Sequence, residues 1–304
     1  MSVLSVNELQ EKIIQIQEAI EFGAFRPADL GREDAVYHYT KLDALKGIVE
    51  NNVFWATEYN YLNDEQEFQY VQKVLMDVLG RELGTLTQEN PCAPFWGRLF
   101  ECMAAETLNE YYVASFSLNP DNLTLWAEFA NPGCNVKCNI FDLFDYEDYT
   151  VNAVIYDYEE QVGIVEEVLF EVMDFFFPDK KCAGLAEYLA GESVQVQQAV
   201  AGACAKLVAY RGMFMKSPLF QAEEEYRAVF KCVEDSEHKY RIAQNRFVPY
   251  IKIPLSEEGK HGMEEIMLAP LNRSELDVRS MYMFCRVNGL EHMKVRTSEL
   301  KLRF

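Results

Sequence analysis

The chain has 304 residues, of which 49% are hydrophobic and 13% aromatic, and it carries a formal charge of −21. That length and apolar content suffice for a substantial core and exclude a disordered or low-complexity chain. The acidic excess repels polyanions, which disfavours nucleic acid and anionic membrane surfaces as partners. Taken in chain order, the first signal is Leu9, Ile13, Ile16 and Ile20 at helical spacing after Asn7, an amphipathic helix over residues 7–22. Val36 to Tyr39 reads as a strand, Leu42, Leu45, Ile48 and Val49 as a short helix stopping at Asn51 and Asn52, and Val53 to Ala56 as a second strand. A polar turn at residues 60–64 leads into helices near 65–79 and 95–108, with Asp64 as a cap. Tyr111 to Phe116 is rich in strand formers, and Trp126 to Phe129 forms a short helix before Asn131-Pro132-Gly133 breaks it. Strands follow at 135–141 and 151–156. Residues 159–210 are helical in two or more pieces broken near Pro178, with Val162, Val165, Leu169, Val172 and Phe176 as an apolar stripe. Strands return at 225–233, 246–253 and 262–268, then a helix at 274–287 and a last strand at 293–295.

Strands at both ends with helices between them indicate an α+β fold. No linker, repeat or low-complexity tract divides the chain. The expected organisation is an N-terminal amphipathic helix in residues 1–33 and one domain over 34–304, with a helical insertion at about 159–210. The start lacks the basic, apolar pattern of a leader and no segment reaches the ~20 apolar residues of a membrane helix, so a soluble, cytoplasmic protein is expected. The eight cysteines, Cys92 and Cys182 included, are diluted through a long chain without a CxxC pair and read as free thiols. Cys134 and Cys138 have no neighbouring histidine, and no metal site is expected.

Two polar strands stand out. A strand alternates its side chains between two faces, so Glu223, Glu225 and Arg227 would share one face and Glu224 and Tyr226 the other. Two carboxylates and a guanidinium in a row are either solvated, with an internal ion pair worth little, or chemically useful. His38 lies mid-strand between Tyr37 and Tyr39, with Thr40 on its own face; for a lone histidine a hydrogen-bonded core position is the plain reading. His238, His261 and His292 fall in polar or element-end contexts.

Several spaced blocks then agree in order. Val36-Tyr-His-Tyr-Thr40, the helix from Leu42, Phe54-Trp-Ala-Thr57, and Tyr61-Leu-Asn-Asp-Glu65 with Glu67 resemble the opening of a bacterial family called domain of unknown function 2971. Val113-Ala-Ser-Phe-Ser117, Asp121-Asn-Leu-Thr-Leu-Trp126, Lys216 to Arg227, Ile266-Met-Leu-Ala-Pro270 and Val295-Arg-Thr-Ser298 resemble its later blocks, so that the resemblance spans residues 36–300. The pattern is in turn similar to the ADP-ribosyltransferase fold, which implies a split, mixed or antiparallel sheet with helical insertions.

That resemblance implies an NAD-dependent ADP-ribosyltransferase or NAD glycohydrolase. NAD would be the co-substrate, a protein or small molecule the acceptor, and bacterial defence or stress response the setting. His38 and Thr40 would match the His-x-Thr that holds the NAD ribose and nicotinamide. Ser115 and Ser117 would support the catalytic acid, Glu225 would be that acid, and Glu223 the carboxylate before it. Trp126, Trp55 or one of Tyr59 and Tyr61 would stack on a ring, and Arg227 or Lys216 would meet the pyrophosphate. Cleaving the nicotinamide–ribose bond develops positive charge at the anomeric carbon, which a fixed carboxylate stabilises; His38 would position the sugar. Tyr39 departs from the glycine usual beside the nicotinamide amide, and no Gly-rich phosphate loop is present. Two alternatives remain: a non-catalytic nucleotide- or protein-binding module of the same fold, and glycoside hydrolysis by a carboxylate pair, which makes no use of His38 or the Ser-x-Ser strand.

Overall fold

The computed structural model describes residues 6–22, 35–63, 66–83, 93–130, 132–147, 149–180, 184–189, 191–233, 237–243, 245–256, 262–272 and 274–300. Asp64, Glu65, Cys92, Cys182 and His261 lie outside the described residues. In chain order the elements begin with α1 (Val6–Phe22), β1 (Val36–Thr40), α2 (Leu42–Asn51), β2 (Val53–Glu58), α3 (Glu67–Leu83) and α4 (Ala93–Ala105). Then come β3 (Tyr111–Ser117), α5 (Leu123–Phe129), β4 (Cys134–Cys138), α6 (Ile140–Leu143), β5 (Tyr149–Ala153), α7 (Tyr158–Phe176), α8 (Leu185–Leu189) and α9 (Val194–Gly212). The chain closes with β6 (Glu225–Lys231), β7 (Lys239–Ala243), β8 (Arg246–Pro254), β9 (Met263–Leu268), α10 (Glu275–Val287) and β10 (Lys294–Thr297). The fold class is α+β. Residues 139–141, read as the end of a strand, instead cap and begin α6, because the Asn139 side chain accepts from the Phe141 N–H.

The elements gather into two compact units: Met1–Arg26, Asn63–Leu108 and Ile155–Pro218 in one, and Pro27–Leu62, Asn109–Val154 and Leu219–Phe304 in the other. The helices after β2 therefore group with the 155–218 segment, not with the strands that precede them.

The first unit is helical. In α7 the buried positions Val162, Val165, Leu169, Val172 and Phe176 recur at three- and four-residue spacing, and Asp157 caps the start by accepting from the Glu160 N–H. α9 is buried on several sides, with Val200, Ala201, Cys204, Ala205, Val208 and Ala209 inside, which makes it the unit's central helix. Gly212 lets α3 come close: a Cβ there would sit 2.5 Å from Val71 Cγ1. Gln161, fully buried, donates to the carbonyls of Ile155 and Lys216 and accepts from Tyr70 at 2.7 Å. Lys216 is also buried, 3.5 Å from Glu67.

The second unit is built on a ten-stranded sheet, ordered β10-β9-β4-β1-β3-β2-β8-β7, with β6 joined to β3 and β5 to β6. Among the described strands β10 and β9 pair in parallel and the other pairs are antiparallel. One face carries the main core: Val36, Phe54, Ala56, Tyr112, Ala114, Phe116, Val136, Tyr226, Ala228, Phe230, Ile251, Ile253, Ile266 and Leu268. A smaller cluster of Tyr39, Leu125, Trp126, Ala130, Met267 and Ala269 lies on the opposite face. Gly133 makes the close approach to β1 possible, since a Cβ there would fall 2.3 Å from the Thr40 carbonyl. β7 was not read from the sequence. The described cysteines are free, and burial pushes the Cys134 thiol up to about 12.

Candidate functional site

β3 is the strand on which the predicted site turns. It pairs with β6 along its length, from Tyr111 opposite Lys231 to Ser117 opposite Glu225. Its other edge is shared: β1 meets it at Tyr37 opposite Ser117, and β2 at Thr57 opposite Val113 and Glu58 opposite Tyr112. Between those two meetings, over residues 114–116, the sheet splits.

His38 fills the split. Its Nδ1 lies 3.0 Å from the Ser115 carbonyl oxygen. A carbonyl can only accept, so Nδ1 carries the proton and the imidazole supplies the donor that no strand offers there. The ring meets Phe54 edge-on at 4.8 Å and Phe116 at 5.5 Å. Burial pushes the imidazole below the ordinary histidine range, outweighing the opposing effect of the bond to Ser115, and favours the neutral ring. The ring is half-buried, hydrogen-bonded at one edge and packed against two core aromatics.

Strand alternation then decides which residues meet. Residues directly opposite in a ladder point to the same face. Tyr37, Ser117 and Glu225 form one such row, and Ser115 and Arg227 the next. His38 is one residue out of step with Tyr37, and its neighbours Phe54 and Phe116 belong to the main core. Ser115, Ser117, Glu225 and Arg227 therefore share one face of the sheet, and His38 and Thr40 lie on the other. The expected grip of His38 and Glu225 on one sugar is not assembled.

On the shared face Glu225 is committed to its own strand. Arg227 Nε donates to Glu225 Oε1 at 2.8 Å and its Nη2 to Oε2 at 2.9 Å, with Arg227 1% and Glu225 7% exposed. Glu223 is not in this row. It ends the 3₁₀ turn Pro218–Glu223, and Glu224, at φ 45°, bends the chain through the left-handed region before β6 starts. Of the predicted row of three, Glu225 and Arg227 lie on β6 and Glu223, also buried, lies in the turn before it. Glu223 contributes its carbonyl, which accepts from Ser117 Oγ at 2.7 Å.

Ser117 opens a polar knot that sequence reasoning missed. Its Oγ also accepts from the Asn119 N–H, while Asn119 Nδ2 donates to the Glu224 carboxylate at 2.8 Å. The Tyr39 hydroxyl donates to the Asn119 carbonyl and accepts from the Asn122 N–H, and burial pushes its pKa up to about 12. Trp126 Nε1 and Ser298 Oγ both donate to Asp121 Oδ1, at 2.7 and 2.6 Å, and the Glu299 N–H donates to Oδ2. Trp126 is completely buried, with Tyr39 edge-on at 4.8 Å, so it is a core residue and offers no ring face to a ligand here. Tyr61 is exposed in the 3₁₀ turn Tyr59–Tyr61, and Lys216 belongs to the other unit. Among the described residues no group of three or more His, Cys, Asp or Glu is placed to hold a metal ion, and no helix is long and apolar enough to cross a membrane.

No family model, curated protein or solved structure matches this chain, so the likeness to domain of unknown function 2971 and to ADP-ribosyltransferases rests on the motif order alone. In physical terms, several of those motif blocks are the residues of the knot: Tyr39, Ser117, Asp121, Trp126, Glu223 and Ser298.

Proposed function

We propose that the chain is a non-catalytic recognition module whose working surface is its sheet. The observation that carries this reading is the strand register, in which His38 and Glu225 stand on opposite faces. Two further features favour it. Both Glu225 oxygens are engaged by Arg227, and the Tyr39 ring and hydroxyl are built into the knot where the transferase pattern has a glycine.

A second reading, NAD-consuming glycosyl transfer, is favoured by one observation: Ser117 and Glu225 sit directly opposite each other on neighbouring strands. In that reading Glu225 acts without His38, and Arg227 must release one carboxylate oxygen to the ribose 2′-hydroxyl. Incubation of the purified protein with NAD, with nicotinamide release followed against Glu225→Gln and His38→Ala, separates the two. The module reading expects no nicotinamide above the blank from any of the three proteins. Release by the native chain that Glu225→Gln abolishes and His38→Ala spares establishes the second reading and ends the first.

A further inference from the structure

The end of the sheet opposite β10 is unlike the rest of the chain. Residues 238–254 contain Lys239, Arg241, Arg246 and Lys252 and not one Asp or Glu, in a protein with 49 acidic residues. They form the β7–β8 hairpin, and β7 ends the strand order. Among the described residues β7 pairs with β8 alone.

The hairpin register sorts its side chains by face. Lys239 faces Tyr250, Arg241 faces Val248 and Ala243 faces Arg246, so Lys239, Arg241, Arg246 and, by alternation, Lys252 share one face. Tyr240 faces Pro249 and Ile242 faces Phe247, so these share the other. Tyr240 is 62% exposed, Ile242 74% and Phe247 70%. One face therefore carries the basic side chains, with Val248 and Tyr250 buried among them, and the other carries an exposed apolar row. Arg241 is anchored by a bond from Nη2 to Thr57 Oγ1 at 2.9 Å, which fixes its charge on the sheet. The backbone is open as well. Pro249 has no N–H, which makes Tyr240–Pro249 one of the non-bonded pairs of the ladder. In an antiparallel ladder such pairs recur every second residue, so the N–H and C=O of Tyr240 and Ile242 point outward from the sheet's edge.

The geometry points to β7 as the docking edge for an extended segment of a partner protein in which acidic and apolar residues alternate. Such a segment adds as a further strand. Its backbone pairs with Tyr240 and Ile242, its apolar side chains cover the Tyr240, Ile242 and Phe247 row, and its carboxylates lie beside Lys239, Arg241 and Arg246. The period of two in the hairpin selects a period of two in the partner. Opposite charge favours an acidic segment over a basic one, and the −21 charge of the chain disfavours a nucleic acid strand, whose every unit is anionic.

This inference rests on the recognition-module reading, and its test is independent of the NAD assay. The full chain is titrated into a fluorescein-labelled nonapeptide that alternates glutamate with isoleucine, and anisotropy is read at low salt. Saturable binding is expected, weakening at least tenfold in the Lys239→Glu, Arg246→Glu double variant, which in turn gains binding to a peptide alternating lysine with isoleucine. That gain shows the hairpin still folded. The proposal is overturned if the acidic peptide does not bind, if a peptide of the same composition with its acids in one block binds as well, or if methylating alternate peptide amides has no effect. It is equally overturned if the double variant fails to reverse the charge preference or if a thymidine 15-mer binds more tightly than the peptide. A chain that releases nicotinamide and also binds the alternating peptide loses the module reading and keeps this docking edge.

Discussion

Removing either partner of the Glu225–Arg227 pair tests the central physical statement, that this carboxylate is held by structure. The two charges meet through two hydrogen bonds of 2.8 and 2.9 Å and are almost wholly buried. At an effective dielectric near 20, charges about 4 Å apart attract by about 4 kcal/mol, and breaking a buried pair on one side costs about 3–5 kcal/mol because a buried charge loses a bidentate counter-ion. Arg227→Met should therefore lower the unfolding free energy of the second unit by about 3–5 kcal/mol at neutral pH, about 6–20 °C in melting temperature for a domain of ~150–250 residues. The loss has a pH signature. Removing the Arg227 cation raises the carboxylate's pKa relative to the native chain, so as pH falls the variant takes up its proton first and regains part of the lost stability. The gap between native and variant should narrow as pH falls toward ~4. The Glu225→Gln, Arg227→Met double variant should lose less than the sum of its parts. Urea denaturation followed by circular dichroism between pH 4 and 8 reads all of this. A loss under ~1 kcal/mol at pH 7, or a gap independent of pH, would show the pair to be a solvated surface contact and remove the main objection to a catalytic Glu225.

Three further outcomes follow from the same structure. His38→Phe should cost about 1 kcal/mol at pH 8, the net worth of the hydrogen bond to Ser115. Because desolvation holds the folded His38 pKa below its unfolded value of ~6.5, the native chain should also lose stability from this group as pH falls below ~6.5, and His38→Phe should lack that component in the same denaturation series. Asp121→Ala, which strips an acceptor from Trp126, Ser298 and the Glu299 N–H, should destabilise by about 2–3 kcal/mol and broaden the Trp126 indole resonance in proton–nitrogen spectra. Gly212→Ala should cost about 1–3 kcal/mol by forcing a Cβ to within 2.5 Å of Val71 Cγ1, and Val71→Ala in the same chain should restore part of the loss in a thermal melt.

Local patterns in the sequence located most elements because each is a short-range statement. The α7 stripe follows from helical spacing, and β1, β2, β3, β6, β8 and β9 follow from runs of β-branched and aromatic residues. What could not be read was register. Glu225 and Arg227 share a face by alternation within one strand, but whether His38 joins them depends on Tyr37, and not His38, lying opposite Ser117. A shift of one residue would bring the imidazole to Glu225's face, and nothing in either strand's own sequence encodes the offset. Glu223 was misplaced for a related reason: the alternation was extended through Glu224, whose left-handed backbone ends the strand. β7 carried a legible signal, since Lys239-Tyr240-Arg241-Ile242 alternates cleanly and lies in an acid-free stretch, but a basic concentration measured against the net charge of the chain is easily discounted.

A comparison of the β10 and β7 ends of the sheet shows why the β7 edge calls for a functional account. An open edge strand templates unwanted pairing, and proteins blunt such edges by shortening, charging or covering them. At the β10 end these devices are present: the strand has four residues, Lys294 and Arg296 stand exposed on it, Val295 is buried, and the Tyr282 hydroxyl of α10 donates to the Val295 carbonyl. At the β7 end the apolar row is exposed, and among the described residues the basic side chains guard the edge. That guard is selective. Two antiparallel copies of β7 centred on Tyr240 would set Lys239 of each opposite Arg241 of the other, and like charges directly opposed across a ladder destabilise it. An acidic strand meets no such opposition. A basic row on an otherwise acidic protein thus suppresses self-pairing and admits a partner of opposite charge, which is how an edge can stay open for one kind of strand without becoming a site of aggregation.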